Sequence, residues 1–378
     1  MKIVQTNKAY YPKVGGIETT ITTLSEGLVS NFGADVNVLT CNGKRTFRSV
    51  EKIINNVKVK YLPTYEFLAS LPISPSYFNE ISKYSGDILH IHEPFPLADI
   101  SILTNPKIKS NFSKIVVSWH SDIVRQKWVL SIYKKYLLMF LDIADKIIVS
   151  NPNLIDNSDF LPHFKDKIEI IPIGVNLDWV ETCQTSNNLS KEIKKTNKDL
   201  MALFVGRLVY YKGIEYLIDA INFVPNVVLT IIGSGPLKNK LIKKIYELNL
   251  TSRIKIIPEV DEVTLRGYYK ACDIFVLPSV EKSETYGIVQ IEAMACGKPI
   301  ICTEIGTGTT YVNQNEITGL VVPPRNSELL AEAIFKLSDN VELRKFLGNN
   351  GKERAFKEFT AEKMAAETYK VYENLLKK

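Results

Sequence analysis

Two spacings of apolar residues alternate along the chain. Short runs that are apolar on nearly every position predict strands at 2–6, 36–40, 57–62, 87–91, 114–119, 146–150 and 168–172, and again at 200–205, 227–232, 254–257, 274–277, 299–303 and 319–322. Between them the spacing turns helical. Ile17, Ile21, Leu24 and Leu28 mark one such face, ended by Gly33, and Ile288, Ile291, Met294 and Ala295 mark another, stopped by Gly297 and Pro299. Further helical patterns cover 126–144, 214–223, 237–249, 261–271, 326–338, 340–358 and 361–377. Strands of this kind alternating with helices predict an α/β protein with doubly wound sheets. The alternation lapses twice, in a proline-punctuated loop at 63–75 and at 181–199, which reads as a linker. The expected division is therefore into 1–182 and 183–360, with the last helix considered below.

Candidate chemistry gathers where predicted strands end. In LPSVEKSETYGIVQIEAMACGKPII, residues 277–301, a strand, a polar loop and a helix follow one another, leaving free N–H groups at the helix N-terminus that suit a phosphate. Glu284 and Glu292 flank that position. A carboxylate is a poor phosphate ligand and a good acceptor for sugar or ribose hydroxyls. In FVGRLVYYKG, residues 204–213, Arg207 and Lys212 flank another helix start and can neutralise a departing diphosphate. Gly15-Gly16 after the first strand has the layout of a nucleotide-phosphate turn, but no G-x-G-x-x-G occurs, which disfavours a dinucleotide. Of four histidines, His90, His92 and His120 fall at the ends of two predicted strands, beside Glu93. They could hold zinc or hydrogen-bond a hydroxyl; no carboxylate–histidine metal pattern accompanies them.

The two glutamates in their setting of Pro278, Gly287, Ala293, Gly297 and Pro299 resemble the signature of the retaining glycosyltransferases of family 4, which have the GT-B fold. The resemblance extends over nearly the whole chain, most specifically at 203–213 and 278–301. It implies two Rossmann-like domains facing across a cleft, with the final helix (about 361–378) returning to the first. It further implies that Glu284 holds the transferred sugar, Glu292 the ribose, and Arg207 and Lys212 the phosphates. The donor would also meet Gly15, Gly16, Gly233, Gly235, Tyr286, Gly287 and Ile288, with the base held near Pro258 and Val260. His120 would bond a sugar hydroxyl, and His92 and Arg125 would line the acceptor pocket. Where many relatives carry a glycine pair and an acid, this chain has GTGTTYV at 306–312, so no carboxylate is carried over there, and Thr307 and Gly308 keep only backbone N–H groups for phosphate. The implied reaction moves a sugar from a nucleotide diphosphate, GDP-mannose or otherwise a UDP-sugar, to a glycan or lipid-linked acceptor with retention. A nucleotide-sugar epimerase or hydrolase, and a non-catalytic nucleotide-sugar binder, are the competing classes.

Composition narrows this modestly. Hydrophobic content of 45%, charged content of 23% and a net charge of +6 describe a globular chain and argue against a nucleic-acid partner. The absence of a D-x-D, and five cysteines without a C-x-x-C, lead to the expectation of no metal or other cofactor and of a reducing, cytoplasmic setting. MKIVQTN turns polar too soon for a signal peptide. The 126–144 helix groups Trp128, Ile132, Tyr136, Met139 and Phe140 on one side and Arg125, Lys127, Lys134 and Lys135 on another, so peripheral contact with an anionic membrane enters as an expectation.

Overall fold

The computed structural model describes every residue except 14, 69–70, 123–126, 197–198 and 378, and every side chain except these and 68, 127–132 and 195–196. Two compact units emerge, Met1–Val175 with Thr360–Lys378, and Asn176–Phe359. The division falls inside the IPIGVN segment, earlier than position 182.

The first unit holds strands β1 (Lys2–Asn7), β2 (Asp35–Cys41), β3 (Val50–Ile54), β4 (Val57–Leu62), the short pair β5 (Glu66–Leu68) and β6 (Leu71–Ile73), then β7 (Gly86–Glu93), β8 (Phe112–Trp119), β9 (Lys146–Val149) and β10 (Ile168–Ile170). Its main sheet runs β10-β9-β8-β7-β1-β2-β4-β3, parallel except for β3. The order reverses between β1 and β7, so the loops leaving these strands flank a crevice at the carboxyl edge. Both faces are covered, which is why the central strands read as unbroken apolar runs. Ile21, Leu24 and Leu28 of the Gly16–Phe32 helix cover one face together with Met364, Ala365 and Tyr372 of the returning Ala361–Leu376 helix. Leu137, Phe140 and Leu141 of the Lys127–Ile143 helix pack on the other. Each of the Ile, Leu, Met and Phe side chains among these contributes about 1.5–3 kcal/mol by leaving water.

The second unit is a six-stranded parallel sheet of β11 (Leu200–Val205), β12 (Val227–Ile232), β13 (Ile254–Ile257), β14 (Ile274–Leu277), β15 (Ile300–Thr303) and β16 (Gly319–Val322). Its order is β13-β12-β11-β14-β15-β16, with the reversal between β11 and β14.

Three expectations need correction. The stretch at 181–199 is no linker: Trp179–Thr182 and Gln184–Thr196 are helices of the second unit. Ser186 and Ile193 are buried there and Leu189 lies against Gly267, a narrow apolar stripe within a polar sequence. The proline-punctuated loop at 63–75 contains the β5–β6 hairpin. In the Lys127–Ile143 helix the buried side is Tyr133, Leu137, Phe140 and Leu141, whereas Tyr136 and Met139 are 50% and 49% exposed. Trp128 and Ile132 have side chains outside those described. No described helix is long and apolar enough to cross a membrane.

Candidate active site

In the second unit, every predicted donor residue except Glu292 follows the carboxyl end of a strand or opens the helix behind it. The chain leaves β11 through Gly206 and Arg207 and makes a short turn, Tyr210–Lys212, before Gly213 starts the Ile214–Asn222 helix. Gly213 has φ +65°, and a Cβ there would lie 2.0 Å from the carbonyl oxygen of Pro278. Only glycine lets the two loops touch in this way. The contact is fastened by the Val280 N–H, which donates to the Tyr211 carbonyl at 2.7 Å.

This seating brings the Lys212 ammonium onto Glu284 Oε2 as an ion pair, both groups nearly buried. The Ser279 hydroxyl donates to the same oxygen at 3.1 Å, and Thr307 donates to the Glu284 carbonyl at 2.7 Å. Among the described residues Glu284 Oε1 has no partner, which leaves an acceptor on a carboxylate held in place through its other oxygen. Arg207 is exposed and makes no ion pair among them. Gly287 caps the Ile288–Ala295 helix in the left-handed conformation, and Tyr286 beside it is buried. Ile288, the first helical residue, is half-buried. The Gly308 N–H donates to the Thr285 carbonyl at 2.8 Å, so that group is committed within the protein and is not open to a phosphate as the sequence suggested.

Glu292 lies further along the same helix, where the Tyr269 hydroxyl donates to it at 2.6 Å. Burial raises its carboxyl pKa, opposed by that hydrogen bond. The loop of Gly233 and Gly235 is zipped to the Arg207 loop, since the Leu208 N–H donates to Ser234 at 2.9 Å and Leu237 donates to Leu208 at 3.1 Å. Pro258 is exposed and Val260 half-buried just after β13.

The first unit gathers the histidines. His90 and His92 project from the same face of β7, with ring centroids 4.2 Å apart, and His120 stacks on His92 at 5.4 Å. His92 Nδ1 lies 3.1 Å from His120 Nε2, and His92 Nε2 lies 3.1 Å from Gln5 Oε1. His90 is held by Ser118 Oγ at 2.8 Å and by the Tyr372 hydroxyl at 2.6 Å. Burial pushes the His90 pKa down to about 3, His120 to about 4, and His92 well below the usual imidazole range. Both nitrogens of His90 and of His92 are thus engaged within the protein, and among the described residues no group of three or more His, Cys, Asp and Glu is placed to hold a metal ion. The residue after His92, Glu93, faces Asp99, and the Tyr133 hydroxyl bonds Asp99; burial raises both carboxyl pKa values.

Gly15 is half-buried at the N-terminus of the Gly16–Phe32 helix, and Gly16 is exposed. The Glu18 carboxylate folds back over this terminus, where a Cβ on Gly15 would lie 2.4 Å from Oε2. Glu18 stands at the third helical position, a capping-box place that the sequence could have disclosed. Ser279, Tyr269 and Gln5 carried no such local signal, because their partners are distant in the chain. Arg125 lies outside the described residues.

Two family profiles divide the chain between them. Glycosyltransferase Family 4 matches residues 14–179, and Glycosyl transferases group 1 matches residues 185–354. The O-antigen chain mannosyltransferase C of Escherichia coli is 31% identical, over 100% of this chain and 99% of that protein. D-rhamnosyltransferase WbpZ of Pseudomonas aeruginosa is also 31% identical, over 96% of this chain and 93% of that protein. Among solved structures, Alr3699/HepE of Anabaena in complex with UDP superposes with a TM-score of 0.79 at 16% identity, covering 99% and 100% of the two chains. That last likeness concerns the fold, which is GT-B, two Rossmann-like units in one chain. On profile matches and whole-length identity together, this chain belongs to the family 4, group 1 glycosyltransferases.

Proposed function

We propose that this glycosyltransferase moves a mannosyl or closely related sugar from a GDP-linked donor, or otherwise a UDP-linked one, to a hydroxyl of a growing bacterial polysaccharide, with retention and without a metal. The observation that carries the reading is the buried Lys212–Glu284 pair, which leaves Glu284 Oε1 available as an acceptor, with the exposed Arg207 five residues before Lys212 in the same loop. The mannosyltransferase and rhamnosyltransferase named above support the sugar and the acceptor class.

In this reading the bond between C1 and the phosphate oxygen breaks, and its electron pair leaves with the nucleoside diphosphate. Arg207, Lys212 and the N–H groups opening the Ile288–Ala295 helix stabilise that charge, the work a metal ion does elsewhere. The acceptor oxygen bonds C1 from the face the phosphate leaves, and its proton passes to a phosphate oxygen. Glu284 Oε1 accepts a sugar hydroxyl, Glu292 the ribose, and His120 a further hydroxyl. Because Tyr269 already donates to Glu292 Oε2, a ribose would use the other oxygen.

The test is turnover of GDP-mannose and a panel of UDP-sugars with a polysaccharide acceptor, read by the anomeric configuration of the product. Retained configuration and full activity in excess chelator are expected. An inverted product, or inhibition reversed by a divalent ion, contradicts the reading.

Peripheral membrane contact is part of the proposal. Lys134, Lys135, Tyr136 and Met139 form an exposed basic and apolar strip on the Lys127–Ile143 helix. Co-sedimentation with phosphatidylglycerol vesicles at low salt, lost in Lys134→Glu/Lys135→Glu, is expected; equal binding by the variant rejects this strip.

A further inference from the structure

Gln5 is fully buried on β1, opposite His90 in the register with β7. Its Oε1 faces His92 Nε2, and the other nitrogen of His92 faces His120 Nε2, each at 3.1 Å. A neutral imidazole has one N–H and one lone pair. In this orientation of the amide, whose Nε2 is buried without a partner among the described residues, the carbonyl oxygen only accepts, so the proton of His92 is on Nε2 and its Nδ1 is a lone pair. The bond to His120 then exists only if His120 Nε2 carries the proton. His120 Nδ1 is left bare, and it makes no hydrogen bond among the described residues. His120 is also the one residue of the three with any surface exposure, 8% against 0% for the others. The His92 ring packs between His90, tilted by 33° and itself held at both nitrogens, and His120, stacked at 12°, which opposes its turning over.

We infer that Gln5, acting through His92, selects the Nε2–H tautomer of His120 and so presents Nδ1 as an acceptor for a substrate hydroxyl. This assigns Gln5 as a positioning residue for transfer, and it rests on the role proposed above for His120. The selection has a chemical consequence. An accepting nitrogen takes the O–H of a hydroxyl and leaves the oxygen lone pairs unengaged, whereas a donating nitrogen would occupy one. Turning the Gln5 amide over would reverse every proton in the row: its N–H would donate to His92, His92 Nδ1–H to His120, and His120 Nδ1 would become a donor. The low pKa values keep all three rings neutral at ordinary pH, so the one-proton count holds along the row.

The full chain with ¹⁵N-labelled histidine tests this directly, since only four histidines need assignment. Signals of His120 and His163 are identified by their loss in His120→Gln and His163→Gln. Without ligand, long-range ¹H–¹⁵N spectra should show a protonated Nε2 and a bare Nδ1 on both His92 and His120. A protonated Nδ1 on His120 overturns the inference without any variant. Gln5→Met, of similar length, should leave His120 as a mixture of tautomers and lower kcat by about tenfold or more, with the donor KM little changed. Gln5→Glu, which restores an accepting oxygen, should recover the single tautomer. An unchanged tautomer in Gln5→Met rejects the relay. A changed tautomer with full turnover overturns the positioning role and the proposed part of His120 in transfer.

Discussion

Glu284 and Lys212 illustrate why the choice of substitution matters. Each is nearly buried and each neutralises the other, so deleting one leaves an unpaired charge at a cost of about 3–5 kcal/mol. Lys212→Ala should therefore lower both stability and activity, and a midpoint of urea unfolding close to that of the unaltered chain would contradict the pairing. Glu284→Gln keeps the shape and a carbonyl oxygen for Ser279. It should reduce transfer by about 100-fold or more, while the nucleotide alone still raises Tm. Near-normal turnover in that variant would remove Glu284 from the chemistry. At this scale the sequence identified the right chemical types, since Arg207, Lys212 and Glu284 sit in the loops at one end of one sheet. It did not show that two of them are paired, because a contact between loops following β11 and β14 depends on the two strands being neighbours. Gly213 records the same fact from the other side: its place as a helix start was legible, its contact with Pro278 was not. Gly213→Ala should cost at least about 1–3 kcal/mol from the left-handed backbone alone, read from chemical unfolding.

Among elements, β7 and β8 carry the most consequential pattern, a row of imidazoles kept neutral inside the sheet. The folded pKa values of about 3 for His90 and about 4 for His120 lie below the ordinary 6.5. Between those values the unfolded chain binds more protons, so stability is full above about pH 6.5 and falls as pH drops towards 4 and 3. Each buried ring forfeits about 1.4 kcal/mol for every pH step of one below the ordinary value, so the row should cost several kcal/mol by pH 4. Glu93 and Asp99 act in the opposite sense: their raised pKa values favour the protonated folded state, so their contribution is present at low pH and is lost as pH rises through those values. Unfolding midpoints measured across pH should show both slopes, and Asp99→Asn should flatten the second. A profile that stays flat from pH 7 to 4 in a Glu93→Gln/Asp99→Asn variant, where the opposing slope is gone, would contradict the burial of the histidines. Helices with a broad apolar face were legible, whereas Gln184–Thr196 was not, because only Ser186, Leu189 and Ile193 mark its packed side within a polar sequence. The Lys127–Ile143 helix shows the converse error, a correct helix rotated about its axis, since Tyr136 and Met139 satisfy a helical spacing on either side.

On the scale of the whole molecule, the first unit is assembled from both ends of the chain. Tyr372 is fully buried and bonds His90, Phe32 stacks on Tyr369 at 4.3 Å, and the Ala361 N–H donates to the Val175 carbonyl at 3.0 Å. Removing 360–378 would strip one face of that sheet of Met364, Ala365, Tyr372 and Leu375. Calorimetry of the truncated chain should show the transition of the first unit lost and that of the second retained. Two intact transitions would mean that the last helix is dispensable.

The sequence by itself determined what each segment could become. Spacing of apolar side chains set strand against helix, and the glycine, proline and charged residues at strand ends set which loops could carry chemistry, because these follow from local backbone geometry and from burial on one face or two. Tertiary structure alone decided which loops meet. Strand order places the turn after β11 beside that after β14, and sets Gln5, His92 and His120 in one row. Contacts between residues far apart in the chain arise from that order, which no window of sequence contains.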